Sequence, residues 1–591
     1  MLPIQELIHK FEEGEGVRVV KLAAIFLALL ALTAIYNLRE FRNFSAPDAM
    51  DMSQVARNIA EGKGFVTDCV RPLVIGMLQE HQGGNPNVLK TAVPDLTYPP
   101  VYPYLLAGWM KIIPMEWVVP QNQQLIRYQP EFYIGLFNQL WFFLAVWMLF
   151  RLARRQFDSS VAWFSAILFI CSDLYWRFSI SGLPTMLLIV LVLALVECLT
   201  RIEAAVREEQ AHSTGWFAAM AIASGLLIGV AAMTQYSMVW LLAPALLFLA
   251  FFAGKQRPVT LPLALLACIL VMTPWLARNY QISGTFFGTA GYAVDQGARN
   301  LQGTAIERSL KLDDTLLNGS LIDDGLRKLF INARHIVQID LPQMAGGWVS
   351  AFFLVGLMMP FRKAGLSRLR YFLGGSLVVF IMVQALAQTW LTDGSAEVRS
   401  ENLLVIFGPL VIMFGAGLFF VLLDSLELPF PAARTWIASL AGIIFCAPLV
   451  FTLLPPRTYP ISYPPYYPWL IQKTAGYLKT EELMMSDMPW AVAWYGRREC
   501  VWLTMNVKPD FFSINDFQRP VKGIYFTHLT LDERFLSRLV KGDDRSWGRF
   551  VLESLLKGNV PVGFPLRNAW SDVLPDQVFL SDWERWRSAD R

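Results

Sequence analysis

Long apolar runs broken by short charged turns dominate the chain. Eleven runs approach the roughly 20 apolar residues that cross a bilayer as a helix. They fall at 19–36, 132–151, 160–177, 182–199, 215–233, 237–254, 258–276, 346–361, 369–390, 402–423 and 434–455. Lys and Arg gather in alternate connections: Arg151, Arg154 and Arg155; Arg201 and Arg207; Lys255 and Arg257; Arg362, Lys363, Arg368 and Arg370. Such residues mark the cytoplasmic side. Simple alternation then sets 37–131, 277–345, 391–401 and the tail 456–591 outside. The first run follows Arg18, has no small-residue cleavage pattern and is followed by further spans, so it reads as an uncleaved anchor.

Residues 98–116 are apolar enough to suggest a further span, but counting them would turn Arg151, Arg154 and Arg155 outward. Prolines 99, 100, 103 and 114 also argue against a regular helix there. The stretch reads as interfacial or re-entrant, anchored by Tyr98, Tyr102, Tyr104, Trp109 and Trp117. After Pro455 the pattern changes. A proline- and tyrosine-rich linker, a helix-like stretch near 469–480 and short strand-like runs at Ala491–Tyr495, Cys500–Leu503 and Ile524–Phe526 predict a small α/β domain. The expected fold is mainly α and polytopic, with a membrane domain over 1–455 and an extracytoplasmic domain over 456–591.

Composition agrees. Only 16% of the 591 residues are charged, 55% are hydrophobic, and the mean hydropathy is +0.41. Soluble domains carry about 25% charged residues. A net charge of +3 gives no sign of a nucleic-acid partner. The six cysteines form no CxxC pair, which argues against a zinc or redox centre. Four lie in apolar runs. Cys69 and Cys500 both fall outside, where the sequence leaves open whether they pair. The five histidines show no ligand spacing.

Chemistry concentrates in the outer segments. Asp48 and Asp51 follow the first span within Pro47–Phe65, and three-residue spacing gives them one helical face. An acid at a membrane surface is costly unless it is used or solvated. Tyr98-Pro99-Pro100-Val101-Tyr102-Pro103 lies further along the same loop, and Pro274-Trp275-Leu276-Ala277-Arg278-Asn279 ends the seventh span on the outer side.

These three motifs resemble the integral-membrane glycosyltransferases that use polyprenyl-phosphate-linked sugars. That group includes the protein O-mannosyltransferases and the bacterial aminoarabinose transferases. The resemblance implies a GT-C-like fold of about eleven transmembrane helices in the inner (plasma) membrane. It implies transfer from a polyprenyl-phosphate sugar donor to an extracytoplasmic acceptor, which could be a lipid, a glycan or a protein. One carboxylate serving as general base is enough for a single inverting displacement. Asp48 is the favoured base, and Asp51 and Asp173 are further candidate acids. Arg278 is the first candidate for the donor phosphate, followed by Arg399 and Lys63; Lys63, Arg57 and Arg71 could each meet the phosphate or a charged acceptor, and each alone reads rather as a solvated charge. Tyr98, Tyr102 and Asn279 are candidates for the substrate groove. No dedicated metal cage is visible, and the paired acids leave a divalent ion open. The chain departs from the family at Ala49, where many relatives carry Glu, at Ser181-Gly182, where a Glu is missing, and at Gln235, where relatives often carry Arg or Lys. A transporter or flippase and a non-catalytic envelope scaffold are the competing classes. Few intramembrane charges and no inverted repeat weigh against the transporter.

Overall fold

A computed structural model describes residues 15–84, 87–120, 127–210, 212–296, 304–311, 321–358, 363–389, 398–427, 431–455, 462–506, 510–531, 560, 563–574 and 577–589. Part of the linker expected after Pro455, residues 456–461, lies outside them. The chain opens with the apolar helix α1 (Glu15–Glu40), whose large side chains Leu22, Phe26, Leu30 and Leu38 point outward. Helix α2 (Pro47–Ala60) follows. Pro47 suits its start, where no intrahelical N–H is needed, and Asp48 lies in its first turn. A two-residue strand β1 (Cys69–Val70) leads into α3 (Pro72–His81).

Next comes α4 (Val101–Ile112), on the stretch where a regular helix was not expected. The helix is short, and Pro103 falls in its first turn, where proline breaks no intrahelical bond. The membrane helices follow: α5 (Gln129–Gln156), α6 (Ser159–Ile170) with α7 (Asp173–Ser179), α8 (Thr185–Arg207) and α9 (Thr214–Ala232). Then come α10 (Leu242–Phe252), α11 (Arg257–Ser283), α12 (Leu321–His335), α13 (Gly347–Met358), α14 (Ala364–Ala387), α15 (Gly408–Asp424) and α16 (Pro431–Leu453).

Among the described residues, eight helices are long and apolar enough to cross a membrane, and they cover eight of the eleven runs. The run at 160–177 is a helix pair bent by 59°. The run at 346–361 ends a pair bent by 111°. The run at 237–254 is the shorter apolar helix Tyr236–Phe252.

The last part of the chain holds α17 (Pro468–Gly476), β2 (Leu483–Ser486), β3 (Cys500–Trp502), β4 (Val521–Phe526), β5 (Asn568–Leu574) and β6 (Gln577–Ser581). The sheet order is β1-β3-β2-β4-β6-β5. Strands β1, β3, β2 and β4 run parallel, and β4-β6-β5 is antiparallel. The sheet therefore borrows its edge strand from the segment between α1 and α5, some 400 residues away in sequence. The expected strand at Ala491–Tyr495 is not one. Pro489 opens a helical turn, and Val492–Gly496 continues it as a wide turn buried almost throughout. A short continuous apolar run cannot by itself separate strand from buried helix.

Candidate functional site

Helix α2 lies inside the protein, with Ala49 through Asn58 all buried. Its first turn presents Asp48, where the helix dipole favours a negative charge. Two hydroxyls grip that carboxylate. Tyr98 donates to Oδ1 (2.8 Å) and Ser400 donates to Oδ2. Tyr98 precedes α4. Ser400 sits in the turn before α15, which is fastened by Gln235 Nε2 donating to the Ser400 carbonyl (2.8 Å) and by Gln384 Oε1 accepting from the Leu403 N–H (3.0 Å).

One helical turn further on, Asp51 is buried. Its Oδ1 accepts from Gln54 (3.0 Å) and its Oδ2 pairs with Arg71 at 2.9 Å. Arg71 also pairs with Glu307 (3.3 Å) and donates to the Tyr98 hydroxyl (3.4 Å). A chain of contacts thus runs from Asp51 through Arg71 and Tyr98 to Asp48. Burial lowers the tendency of Arg71 to hold its proton, but the Asp51 charge and its other neighbours outweigh burial and hold it well above its ordinary value. Tyr98 is pushed well up by burial and then by Asp48, so its hydroxyl stays a donor. Arg71 is therefore a buried part of the site and not a solvated charge.

Two more acids join this region. Asp95 is 1% exposed, and its Oδ2 accepts from the Tyr98 N–H (3.0 Å). Burial, then the Asp51 charge, pushes it up to about 6. Glu401 accepts from the Thr389 hydroxyl (2.8 Å). Burial pushes it up to about 7 against that hydrogen bond, and the Asp48 charge adds to the rise. The sequence reading missed Ser400, Asp95, Glu307 and Glu401. The one available signal was the run Arg399-Ser400-Glu401 at the mouth of an apolar span.

Arg278 stands near the C-terminal end of α11. It donates to the carbonyls of Asp95 (2.9 Å) and Phe65 (3.3 Å) and to Asn279 Oδ1 (2.9 Å), and it stacks on Trp275 at 4.5 Å. These hydrogen-bond acceptors are neutral, so they orient the guanidinium without cancelling its charge. Asn279 is fully buried and donates to the Tyr236 hydroxyl (3.1 Å) and the Phe286 carbonyl (3.2 Å). It locks the loop rather than lining a groove.

Tyr102 is likewise buried, its hydroxyl donating to the Gly182 carbonyl (2.7 Å). The Ser181-Gly182 departure thus forms a packing point, with Gly182 at φ +78° against the Phe44 ring. Asp173 lies with Tyr36, which donates to it (3.3 Å). Lys63 is exposed and paired with Glu61 (2.8 Å). Arg399 acts on the neighbouring Glu401 through its charge. Arg57 contacts neither Asp48 nor Asp51 and pairs with Asp68 (3.4 Å). Its guanidinium is buried and donates to the carbonyls of Trp494 (2.7 Å) and Ala493 (2.8 Å).

The donor set does not suit a divalent ion. Asp48 is engaged by two hydroxyls and Asp51 by Arg71 and Gln54, and a cation already fills the space between Asp51 and Glu307. Among the described residues no group of three or more Asp, Glu, His or Cys could hold a metal.

Residues 97–277 match the family model described as dolichyl-phosphate-mannose-protein mannosyltransferase, under a third of the chain. No curated protein matches by sequence. Among solved structures, ArnT from Cupriavidus metallidurans bound to undecaprenyl phosphate is 10% identical with a TM-score of 0.54, over 95% of this chain and 98% of that one. The archaeal oligosaccharyltransferase AglB from Archaeoglobus fulgidus, in complex with an inhibitory peptide and a dolichol-phosphate, is 11% identical with a TM-score of 0.53, over 87% and 70%. A further structure of the Archaeoglobus fulgidus oligosaccharyltransferase is in complex with Zn and sulfate. The resemblance carried by the three motifs is borne out: the fold is that of the GT-C membrane glycosyltransferases. The chain is thus a multi-pass membrane protein with the fold of these glycosyltransferases, and the family match lies within residues 97–277.

Proposed function

We propose that the protein transfers a sugar from a polyprenyl-phosphate donor to an extracytoplasmic acceptor by a single inverting displacement, with Asp48 as general base. The observation that carries this reading is the Asp48 carboxylate, set at a helix start between two neutral donors and one hydroxyl away from the buried cation Arg71. An acceptor O–H or N–H within reach of Asp48 gives it a proton as the acceptor atom attacks the anomeric carbon. The bond from that carbon to the phosphate oxygen breaks on the opposite face, and polyprenyl phosphate leaves. Arg278 is the cation placed to meet that charge, since a guanidinium can hold two phosphate oxygens and its partners here are neutral. Arg399 is a second candidate. Support for the donor class comes from the two structural relatives, which were captured with undecaprenyl phosphate and dolichol-phosphate. Support for the outer placement of the site comes from the Lys and Arg pattern.

The test is sugar transfer by purified protein in lipid, offered polyprenyl-phosphate sugars. Asp48→Asn should cut turnover by about 10²–10⁴-fold while leaving donor binding in place. Equal turnover in wild type and variant would move the base elsewhere. An absence of transfer from every donor would count against the donor class.

A further inference from the structure

The edge of the sheet brings Cys69 and Cys500 together. Strands β1 and β3 run parallel, and their register sets Cys69 opposite Cys500 and Val70 opposite Val501. The Cys500 N–H donates to the Asp68 carbonyl (2.8 Å), which fixes that register from the neighbouring residue. Adjacent strands lie about 4.8 Å apart, inside the Cα separation of about 4.4–6.8 Å that a disulfide spans. Directly paired side chains of neighbouring strands project to the same face, so both sulfurs lie on one side of the sheet. Strand β1 is only two residues long and sits at the sheet edge. The Thr67 hydroxyl holds Cys69 from the other side, accepting from its N–H (3.0 Å) and donating to its carbonyl (3.1 Å). Both residues are at most 1% exposed, and both are thiols in the structure.

We infer that Cys69 and Cys500 close a disulfide that ties the loop carrying Asp48 to the C-terminal sheet. The inference rests on the outer placement proposed above and not on sugar transfer. The step is a thiol–disulfide exchange with a dithiol–disulfide oxidoreductase of the outer compartment. One cysteine thiolate attacks the carrier's disulfide and forms a mixed disulfide. The second thiolate then displaces the carrier's sulfur, which leaves as a dithiol. The protein loses two protons and two electrons and the carrier gains them. Burial raises both thiols well above their ordinary values, so the exchange belongs to folding, before the sheet shuts them in.

The tie falls where the two regions already meet. Arg57 of α2 holds the carbonyls of Ala493 and Trp494. Trp494 Nε1 donates to Glu131 (2.8 Å), and Arg497 pairs with Glu61 (2.6 Å). The link would fix this docking and, through α2, the position of Asp48.

The experiment denatures the full-length protein with an alkylating reagent and no reductant, then maps its peptides by mass. The expected result is one species joining the Cys69 and Cys500 peptides, two hydrogens lighter than their sum and split by reductant. Cys198 and Cys268, inside apolar helices, should be recovered alkylated as controls. Cys500→Ser should return Cys69 as an alkylated thiol. Recovery of both Cys69 and Cys500 alkylated from wild type overturns the inference. Measuring sugar transfer on the same preparation separates the two readings. Alkylated cysteines in an active preparation overturn the tie alone. A linked pair in an inactive one supports the tie and counts against the proposed activity.

Discussion

The Tyr98 hydroxyl has one proton to give, and Asp48 receives it. That leaves the phenol oxygen to accept from Arg71, so the side chain passes the influence of a buried cation to the carboxylate without touching it with charge. Ser400 fills the other oxygen. Hydrogen bonds to charged groups are worth about 1.5–3 kcal/mol each. Tyr98→Phe and Ser400→Ala should each slow transfer by about 10- to 100-fold. Wild-type rates in both variants would show that the two hydroxyls only fill space. Asp95 makes a second residue-scale case. It stands at about 6 in the folded protein against 3.8 for an unhindered carboxyl. A raised acid holds its proton more tightly when folded, so its share of stability is full below about pH 4 and is lost as pH climbs through about 6. The loss by pH 7 is ~3 kcal/mol as an upper figure. Asp95→Asn keeps an oxygen for the Tyr98 N–H and removes the titration. It should melt above wild type at pH 7, with the gap closing by pH 4, in thermal unfolding measured at both.

At the scale of elements, the site is an agreement among helix ends. Helix α2 supplies the acids, the segment before α4 supplies Tyr98, the turn before α15 supplies Ser400, and the C-terminal end of α11 supplies Arg278. Close approach of backbones fixes these ends. Gly284 closes α11 in the left-handed region at φ +72°, and Gly288 follows at φ +56° with no room for a side chain. An added Cβ would lie 1.9 Å from the Leu96 carbonyl oxygen. That carbonyl also accepts from the Thr289 N–H (3.2 Å), so this turn carries Arg278 and the Asp95–Tyr98 segment as one unit. Gly288→Ala should cost about 2 kcal/mol or more in unfolding, from backbone strain and overpacking together. It should also lower transfer, although residue 288 meets no substrate. A Gly288→Ala protein with wild-type melting temperature and rate would show that the turn yields freely.

At the scale of the whole molecule, the C-terminal sheet is built onto the segment between α1 and α5 and not hung from the last span. Its edge strand comes from residues 69–70, and Arg308, from the segment after α11, donates to the Leu503 carbonyl (2.6 Å). A chain ended at residue 455 would leave the Cys69–Val70 strand unpaired and the Arg57 guanidinium without its two carbonyl partners, uncovered beside Asp68. The truncated protein should insert in the membrane yet fail to transfer sugar, and limited proteolysis should cut its 47–81 region where the full chain resists. Fusion of a reporter that is active only outside the cytoplasm to the C-terminus should give signal, since 456–591 and the site share one side of the membrane in the proposed topology.

The sequence alone determined the apolar runs, the side on which cations gather and the three motifs, because lipid imposes composition locally, residue by residue. Asp48 was legible for the same reason: an acid at a helix start, just past a span, sits within one short motif. Tertiary structure decided the partners. Arg71 looked solvated because its acids, Asp51 and Glu307, lie 20 and 236 residues away in sequence, and Tyr102 and Asn279 looked available because nothing local showed that they would be buried. Ser400 reaches Asp48 across 352 residues, and Cys69 meets Cys500 across 431. Spacing along a chain fixes which side chains share a helix face. Only packing fixes which faces meet, and in this protein those meetings assemble the site.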